Sequence, residues 1–331
     1  MENTKFQAMV VRETQPKIFS RTVEDRLVKD LPRGDVLIQV FYSSLNYKDA
    51  LSATGNKGVT RNFPHTPGID AAGIVQASKT SQFSPGDKVI VTSYDLGMDT
   101  DGGFGQYIRV PESWVIPLPP GLSLEQSMVL GTAGFTAAMS VERLVPEITP
   151  AQGPVLVTGA TGGVGSLACA ILSKLGYEVA AVSGKPDDGF LSSLGVERII
   201  SRQNFIKETT PPLLKPVWAG VVDTVGGDIL ACAIKGTMEN GRVTCCGLVA
   251  SPNLPITVFP FILRGISLHG IDSQHCPMAL RKKLWHHLAS DWKPSLPETL
   301  IQTTGLNDLD PFIDNILKGR IKGRTLVELQ S

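Results

Sequence analysis

The sequence predicts an α/β protein of two domains, a β-rich domain interrupted by a doubly wound parallel-sheet domain. Three observations carry this. The first third is strand-like and broken at short intervals by Gly and Pro, residues 155–246 alternate strand with helix, and the tail returns to mixed structure. Strict alternation predicts a parallel sheet with helices on both faces. The 331 residues suffice for two separate cores.

In order, DVLIQVFYS (35–43) is a strand by its β-branched and aromatic content. AAGIVQA, DKVIVTS and FGQYIRV follow, with SPGD at 84–87 as a turn. PLPPGLS (117–123) is a proline-rich connector. The next stretch, SLEQSMVLGTAGFTAAMSVERL, reads as a helix with Ser123 as N-cap and Glu125 and Gln126 in the first turn. Then come the strand PVLVTG, a helix to Leu175, the strand EVAAVS, a short helix around Phe190 to Leu194, and RII. AGVVDTV is a strand, DILACAIKGTM a helix and GRVTCCG a strand. In the tail GISLHGID is a strand, MALRKKLWHHLA an amphipathic helix and IKGRTLVEL a closing strand. The expected domains are 1–124, rejoined by 267–331, and 125–266.

The bulk properties narrow the function. Hydrophobic residues make up 42% and charged residues 19%, an ordinary globular balance. Lys+Arg and Asp+Glu both number 31, so no basic excess favours nucleic acid or an anionic membrane. No apolar run reaches the roughly 18 residues of a membrane span, and MENTKFQAMVVRE lacks a signal-peptide layout. A cytoplasmic protein is expected. Its five cysteines, Cys169, Cys232, Cys245, Cys246 and Cys276, form no C-x-x-C pair and are expected as buried free thiols.

The sharpest motif is VLVTGATGGVGSLACAILSKLGYEVAAVSGK, 155–185. A strand ends at Thr158, glycines fall at 159, 162, 163 and 165, and a helix with one apolar face follows. Such a turn lets backbone approach a pyrophosphate, and the helix start attracts its charge. The spacing departs from G-x-G-x-x-G, since Ala160 stands where one glycine would be. The register of strand, loop, helix and strand still predicts a dinucleotide site. The tip of the second strand chooses between NAD and NADP. Instead of an acid it carries Val182, Ser183, Gly184 and Lys185, and Arg202 follows the next strand. A hydroxyl and two cations suit a 2′-phosphate, so NADPH is expected. Asp187 and Asp188 lie beyond the turn, where they can cap the next helix.

These motifs resemble the zinc-free branch of the medium-chain dehydrogenase/reductase superfamily that contains quinone oxidoreductases and acryloyl-CoA reductases. SSLNYKDALSATG, RNFPHTPGIDAAGIV, GTAGFTAAMSV, VTGATGGVG, WAGVVDTVGG, PFILRGISLHGIDS and IKGRTLV carry the resemblance along nearly the whole chain. It implies a GroES-like β-rich catalytic domain, a Rossmann NADPH-binding domain, a cofactor cleft and a homodimer. It further implies that Thr161, Gly162, Gly163 and Val164 line the pyrophosphate and that Ser183 to Lys185 meet the adenosine phosphate. Leu248 and Ile262 would lie near the nicotinamide, and Ser273 would bond the cofactor. One further cofactor contact falls on Gly319, where close relatives tend to carry Asn.

In zinc-dependent relatives a cysteine ligand stands at the position of Asn46, and Gly-His-Glu at Gly68-Ile69-Asp70. Zn²⁺ takes thiolate, imidazole or carboxylate ligands, which Asn46 and Ile69 cannot supply. No metal is expected. His286 and His287, adjacent on a helix, point about 100° apart, which is poor geometry for one ion.

Without a Lewis acid the accessible chemistry is hydride transfer to an electron-poor acceptor, either an enoyl thioester or ketone, or a quinone. In the first case the carbonyl becomes enolate-like and needs a donor, and the α-carbon needs a proton. Tyr47, in the run Asn46-Tyr47-Lys48-Asp49, is the candidate donor; packing against the nicotinamide is the equal alternative. Asp49 can accept from Tyr47 or Lys48, or serve as a helix-start acid. Lys48 is a catalytic neighbour or a surface charge, and Arg324 is structural or phosphate-facing. The expectation is an NADPH-dependent reductase of activated C=C bonds, with a quinone reductase as rival. A non-enzymatic binder is disfavoured by the zero net charge and the intact cofactor loop.

Overall fold

The structure is a computed structural model that describes residues 2–186, 188–207 and 210–330. The chain divides into two compact units, residues 1–132 with 274–289 and 301–331, and residues 133–273 with 290–300.

The first unit opens with an antiparallel pair, β1 (Lys5–Gln15) and β2 (Ile18–Leu27), which the sequence reading did not name. Next come β3 (Val36–Leu45), the short helix α1 (Tyr47–Ala53), β4 (Asp70–Ser78), β5 (Lys88–Thr92), β6 (Tyr107–Val110) and β7 (Ile116–Pro117). Helix α2 (Leu124–Leu144) starts as expected. Ser123 Oγ accepts from the Gln126 N–H at 3.0 Å, and the Gln126 side chain accepts from the Ser123 N–H at 3.3 Å. Its backbone is non-helical at Gly131, with φ 51° and ψ −155°.

The second unit alternates as the pattern demanded. It contains β8 (Val155–Thr158), α3 (Gly163–Lys174), β9 (Val179–Ser183), β10 (Arg198–Ser201) and the single turn α4 (Arg202–Phe205). β11 (Trp218–Asp223), α5 (Gly227–Lys235), β12 (Thr237–Cys245), α6 (Phe259–Arg264) and β13 (Ser267–Gly270) complete it. The six strands are parallel, in the order β10-β9-β8-β11-β12-β13. β8 starts the chain in mid-sheet and the order reverses beside it, which in open α/β sheets places a ligand at the strand carboxyl ends. Leu156, Val221, Leu230, Ile234 and Val243 pack in its core. The helix expected around Phe190 to Leu194 is only a 3₁₀ turn, Ser192–Leu194, ended by left-handed Gly195.

The tail returns to the first unit with α7 (Met278–Ala289), β14 (Ile301–Gly305), α8 (Asp310–Leu317) and β15 (Arg324–Glu328). β15 sits between β14 and β3, giving the sheet order β14-β15-β3-β4-β5-β7, with β6 also paired to β3. Ile38, Val40, Val75, Phe104, Ile108 and Val327 fill the core of this unit.

All five cysteines are free thiols. Cys169, Cys232 and Cys276 are buried, but Cys245 and Cys246 are only partly so, because they lie where β12 runs out into a loop. Among the described residues no helix is long and apolar enough to cross a membrane.

Candidate active site

The N-terminus of α1 is built on a buried polar network within the first unit. Asn46 occupies the N-cap position, and its backbone N–H donates to Asp49 Oδ2 at 2.7 Å, a capping-box contact that orients the first turn. The other oxygen of Asp49 accepts from the Ile69 N–H at 2.7 Å. Asp49 is fully buried; burial first, and then the neighbouring Asp70 charge, push its carboxyl up to about 7.

Asp70 is the hub. It accepts from Ser44 Oγ at 2.6 Å, from Asn46 Nδ2 at 2.8 Å, and from Thr132 Oγ1 and the Thr132 N–H at 2.6 and 2.9 Å. Arg324, first residue of β15, supplies the counter-charge. Its guanidinium donates to Val129 O at 2.9 Å, Asn46 Oδ1 at 3.2 Å and Ser44 Oγ at 2.8 Å. Burial holds the arginine below its usual range, and the charges of Asp70 and Asp49 oppose that shift. Of its two expected roles, the structural one fits, because the side chain is 2% exposed. Gly131 explains the kink in α2. A Cβ there would fall 2.5 Å from Asp70 Oδ2 and 2.9 Å from Arg324 Nη2, at a φ only glycine adopts readily.

The donor set does not suit zinc. Asn46 and Ile69 offer no thiolate or imidazole, and both oxygens of Asp70 are occupied by donors. Among the described residues no group of three His, Cys, Asp or Glu side chains could hold a metal.

The expected catalytic residues therefore part company. Asp49 accepts from Asn46 and Ile69 backbone rather than facing solvent, so it braces the corner. Lys48 Nζ donates to Gln274 Oε1 at 2.9 Å. Tyr47, one residue past the cap, is 40% exposed, and its hydroxyl has no partner among the described residues. The sequence reading missed Asp70, Thr132 and Ser44 as parts of this site. The only available signal was that a buried-strand pattern began with an acid.

In the second unit the glycine loop has the geometry a pyrophosphate requires. Gly159 is left-handed, and a Cβ on Gly165 would meet Gly159 O at 2.4 Å, so α3 can press close to β8. Gly162 is the N-cap of α3 and Gly163 its first residue, with Thr161 before and Val164 after them. At the end of β9 the Ser183 hydroxyl donates to Lys185 O and accepts from the Lys185 N–H, both at 3.0 Å. It shapes the turn, and its proton is already engaged. A Cβ on Gly184 would lie 2.9 Å from Arg202 Cζ, so the guanidinium covers the strand tip where a side chain is missing. Gly159, Val182, Gly184, Arg202, Val225, Ile229, Val249 and Ala250 line one cavity. Its apolar walls, glycine floor and single cation fit an adenosine bearing a phosphate. Of the two acids beyond the turn, Asp187 lies outside the described residues.

The other expected contacts lie on further elements. Leu248 and Ile262 are 67% and 68% exposed, on the loop after β12 and on α6. Ser273 follows β13. Gly319 is left-handed with open space around its α-carbon, and its N–H bonds Ile316 O at 3.0 Å. Its conformation is accounted for by the end of α8.

Comparison with known proteins agrees with this architecture. The alcohol dehydrogenase GroES-like domain family matches residues 32–120, and the zinc-binding dehydrogenase family matches 163–290. The acrylyl-CoA reductase AcuI of Ruegeria pomeroyi is 43% identical over 98% of this chain and 100% of its own. The chain belongs to the medium-chain dehydrogenase/reductase superfamily. The crystal structure of the Salmonella enterica YhdH oxidoreductase in complex with NADP is 44% identical, with TM-score 0.93 over 98% of this chain and 100% of that one. The Bacillus subtilis protein YhfP, solved with NAD bound, is 44% identical, with TM-score 0.95 over 99% and 100%. A shorter match, 34% identical over 46% of this chain and 44% of the other, is the quinone oxidoreductase of Sus scrofa. For this superfamily member the GroES-like and Rossmann readings both hold.

Proposed function

We propose that the protein is an NADPH-dependent reductase that transfers hydride to an activated C=C bond without a metal, with enoyl thioesters of acryloyl-CoA type as substrates. The observation that carries the reading is the full-length likeness to an acrylyl-CoA reductase, joined to a corner where Asn46 stands at a zinc-ligand position and is bonded to Arg324 and Asp70 instead.

NADPH supplies the hydride, and the chain's residues do the rest. Thr161 to Val164 hold the pyrophosphate at the start of α3, and Gly184, Lys185 and Arg202 recognise the 2′-phosphate, with Ser183 fixing their turn. Leu248, Ile262 and Ser273 contact the nicotinamide half. Gly319 offers only backbone there. Tyr47, whose hydroxyl is uncommitted among the described residues, donates a hydrogen bond to the carbonyl oxygen as it takes enolate charge, and the α-carbon then takes its proton from solvent water. Asp49 acts as a positioning residue for the helix that carries Tyr47. Residues 1–132 with 274–289 and 301–331 serve as the catalytic domain and 133–273 with 290–300 as the NADPH domain, in a cytoplasmic homodimer; the boundaries expected at 124 and 267 shift, the second because β13 joins the parallel sheet. The dimer is supported by β13, an edge strand of its sheet, and by Val258, Phe259 and Leu263, all exposed beside it in sequence.

A quinone reductase is the second reading, favoured by the quinone oxidoreductase match. NADPH oxidation followed with acryloyl-CoA, crotonyl-CoA and a quinone series ranks the two. Turnover with none of them removes both. Tyr47→Phe with unchanged kcat would demote Tyr47 to a packing residue.

A further inference from the structure

Two successive non-glycine residues, Ser93 at φ 67° and Tyr94 at φ 54°, take left-handed backbone just after β5. Such strain persists only where the surroundings over-determine it, and it concentrates at functional sites. Here it is held from every side within the first unit. The Ser93 N–H donates to Ile69 O at 2.8 Å. The Tyr94 ring is stacked on Trp114, 5.4 Å between centroids and 3° from parallel. The guanidinium of Arg281, wholly buried on α7, lies 4.4 Å from the Tyr94 ring centroid and donates to Thr92 O at 3.0 Å.

Two separate chains of contacts then lead from this turn to the two residues that flank Tyr47. Ser93 Oγ is 3.0 Å from Thr132 Oγ1, which donates to Asp70, which accepts from Asn46. On the other side Arg281 donates to Gln274 O at 3.3 Å, and Gln274 Oε1 accepts from Lys48. Asn46 and Lys48 precede and follow Tyr47. The strained turn is therefore tied to the start of α1 by two routes of direct contacts that share no residue.

We infer that Tyr94 is a specificity-determining wall of the substrate corner, a ring locked by Trp114 and Arg281 that limits the size of the acyl group accepted beside Tyr47. The inference rests on the reductase reading. A ring clamped in this way cannot swing aside for a larger substrate, so it selects by exclusion. Packing alone would not require left-handed backbone at two residues in a row, since an ordinary loop could bury the same ring.

The test compares kcat/KM for acryloyl-CoA and trans-2-hexenoyl-CoA in the full-length protein and in Tyr94→Ala, Tyr94→Leu and Tyr94→Phe. The two shortened variants should shift the ratio toward the longer acyl chain by about tenfold or more. Tyr94→Phe should leave it unchanged, and NADPH affinity should be unaltered in all three. Tyr94→Leu keeps apolar bulk in the stack and serves if the alanine variant does not fold. An unchanged ratio in a folded Tyr94→Leu or Tyr94→Ala overturns the inference. Wild-type protein that reduces neither thioester would instead overturn the reductase reading.

Discussion

The guanidinium of Arg324 donates to the amide oxygen of Asn46 at 3.2 Å. The residue standing where zinc-dependent relatives carry a ligand is thus held by a fixed organic cation. That cation also faces two buried acids, and because Asp49 is raised to about 7, the corner balances as Arg324 against Asp70 while Asp49 holds its proton.

Arg324→Met tests that balance. Removing one partner of a buried ionic set leaves the others uncompensated and typically costs about 3–5 kcal/mol. Urea unfolding should show a loss of that order, and a loss below about 1 kcal/mol would mean that the acids re-pair or take protons without penalty.

Gly131→Ala introduces a Cβ 2.5 Å from Asp70 Oδ2 at a left-handed φ. The clash and the strain together predict destabilisation of about 2–4 kcal/mol. Reductase activity should fall with it, because the Thr132 bonds to Asp70 move. Equal melting temperatures of variant and wild type would show that the kink adapts.

Cofactor choice should reside at the tip of β9. Arg202→Ala and Lys185→Ala should each weaken NADPH binding about 10- to 100-fold, with NADH nearly unaffected. Fluorescence titration with both nucleotides checks this. Equal affinities for the two in the unmutated protein would end the 2′-phosphate assignment. The YhfP structure with NAD bound makes the comparison informative.

Stability should depend on pH in two opposed ways. Asp49 is raised from the usual carboxylate range to about 7, so the folded chain keeps a proton that the unfolded chain has lost. Its contribution is fully present below about pH 4 and disappears as pH rises through about 7. His65 is buried, which lowers its pKa, and its Nε2 has no partner among the described residues. Its contribution is present above the ordinary histidine value, about 6.5, and is lost as pH falls below it. Melting curves of Asp49→Asn should therefore lack the decline between about pH 4 and 7, relative to wild type. Parallel pH profiles would contradict the assignment.

The α/β alternation was legible because each element carries its own period and punctuation, and the phosphate loop because its glycine register lies within 31 consecutive residues, 155–185. Asn46 was legible as a departure from a ligand pattern. What replaces the ligand was not, because Ser44, Asp70, Thr132 and Arg324 come from four distant segments and none has an unusual local context. β1 and β2 escaped because β2 is half-buried along most of its length, which blurs the alternation that marks a strand. Asp49 looked like a helix-start acid, and only its complete burial and its bond from the Ile69 N–H show that it is sealed in.

Arg324 belongs to β15, and its charge faces the acids at positions 70 and 49. A nascent chain that has already made α1 and β4 must wait some 250 residues of synthesis for their counter-ion. Contacts of such sequence separation form late, since loop closure precedes any gain from them. Assembly of this corner therefore waits on synthesis through residue 324, and a chain stopped short of it would lack the cation that Asp70 and Asp49 face.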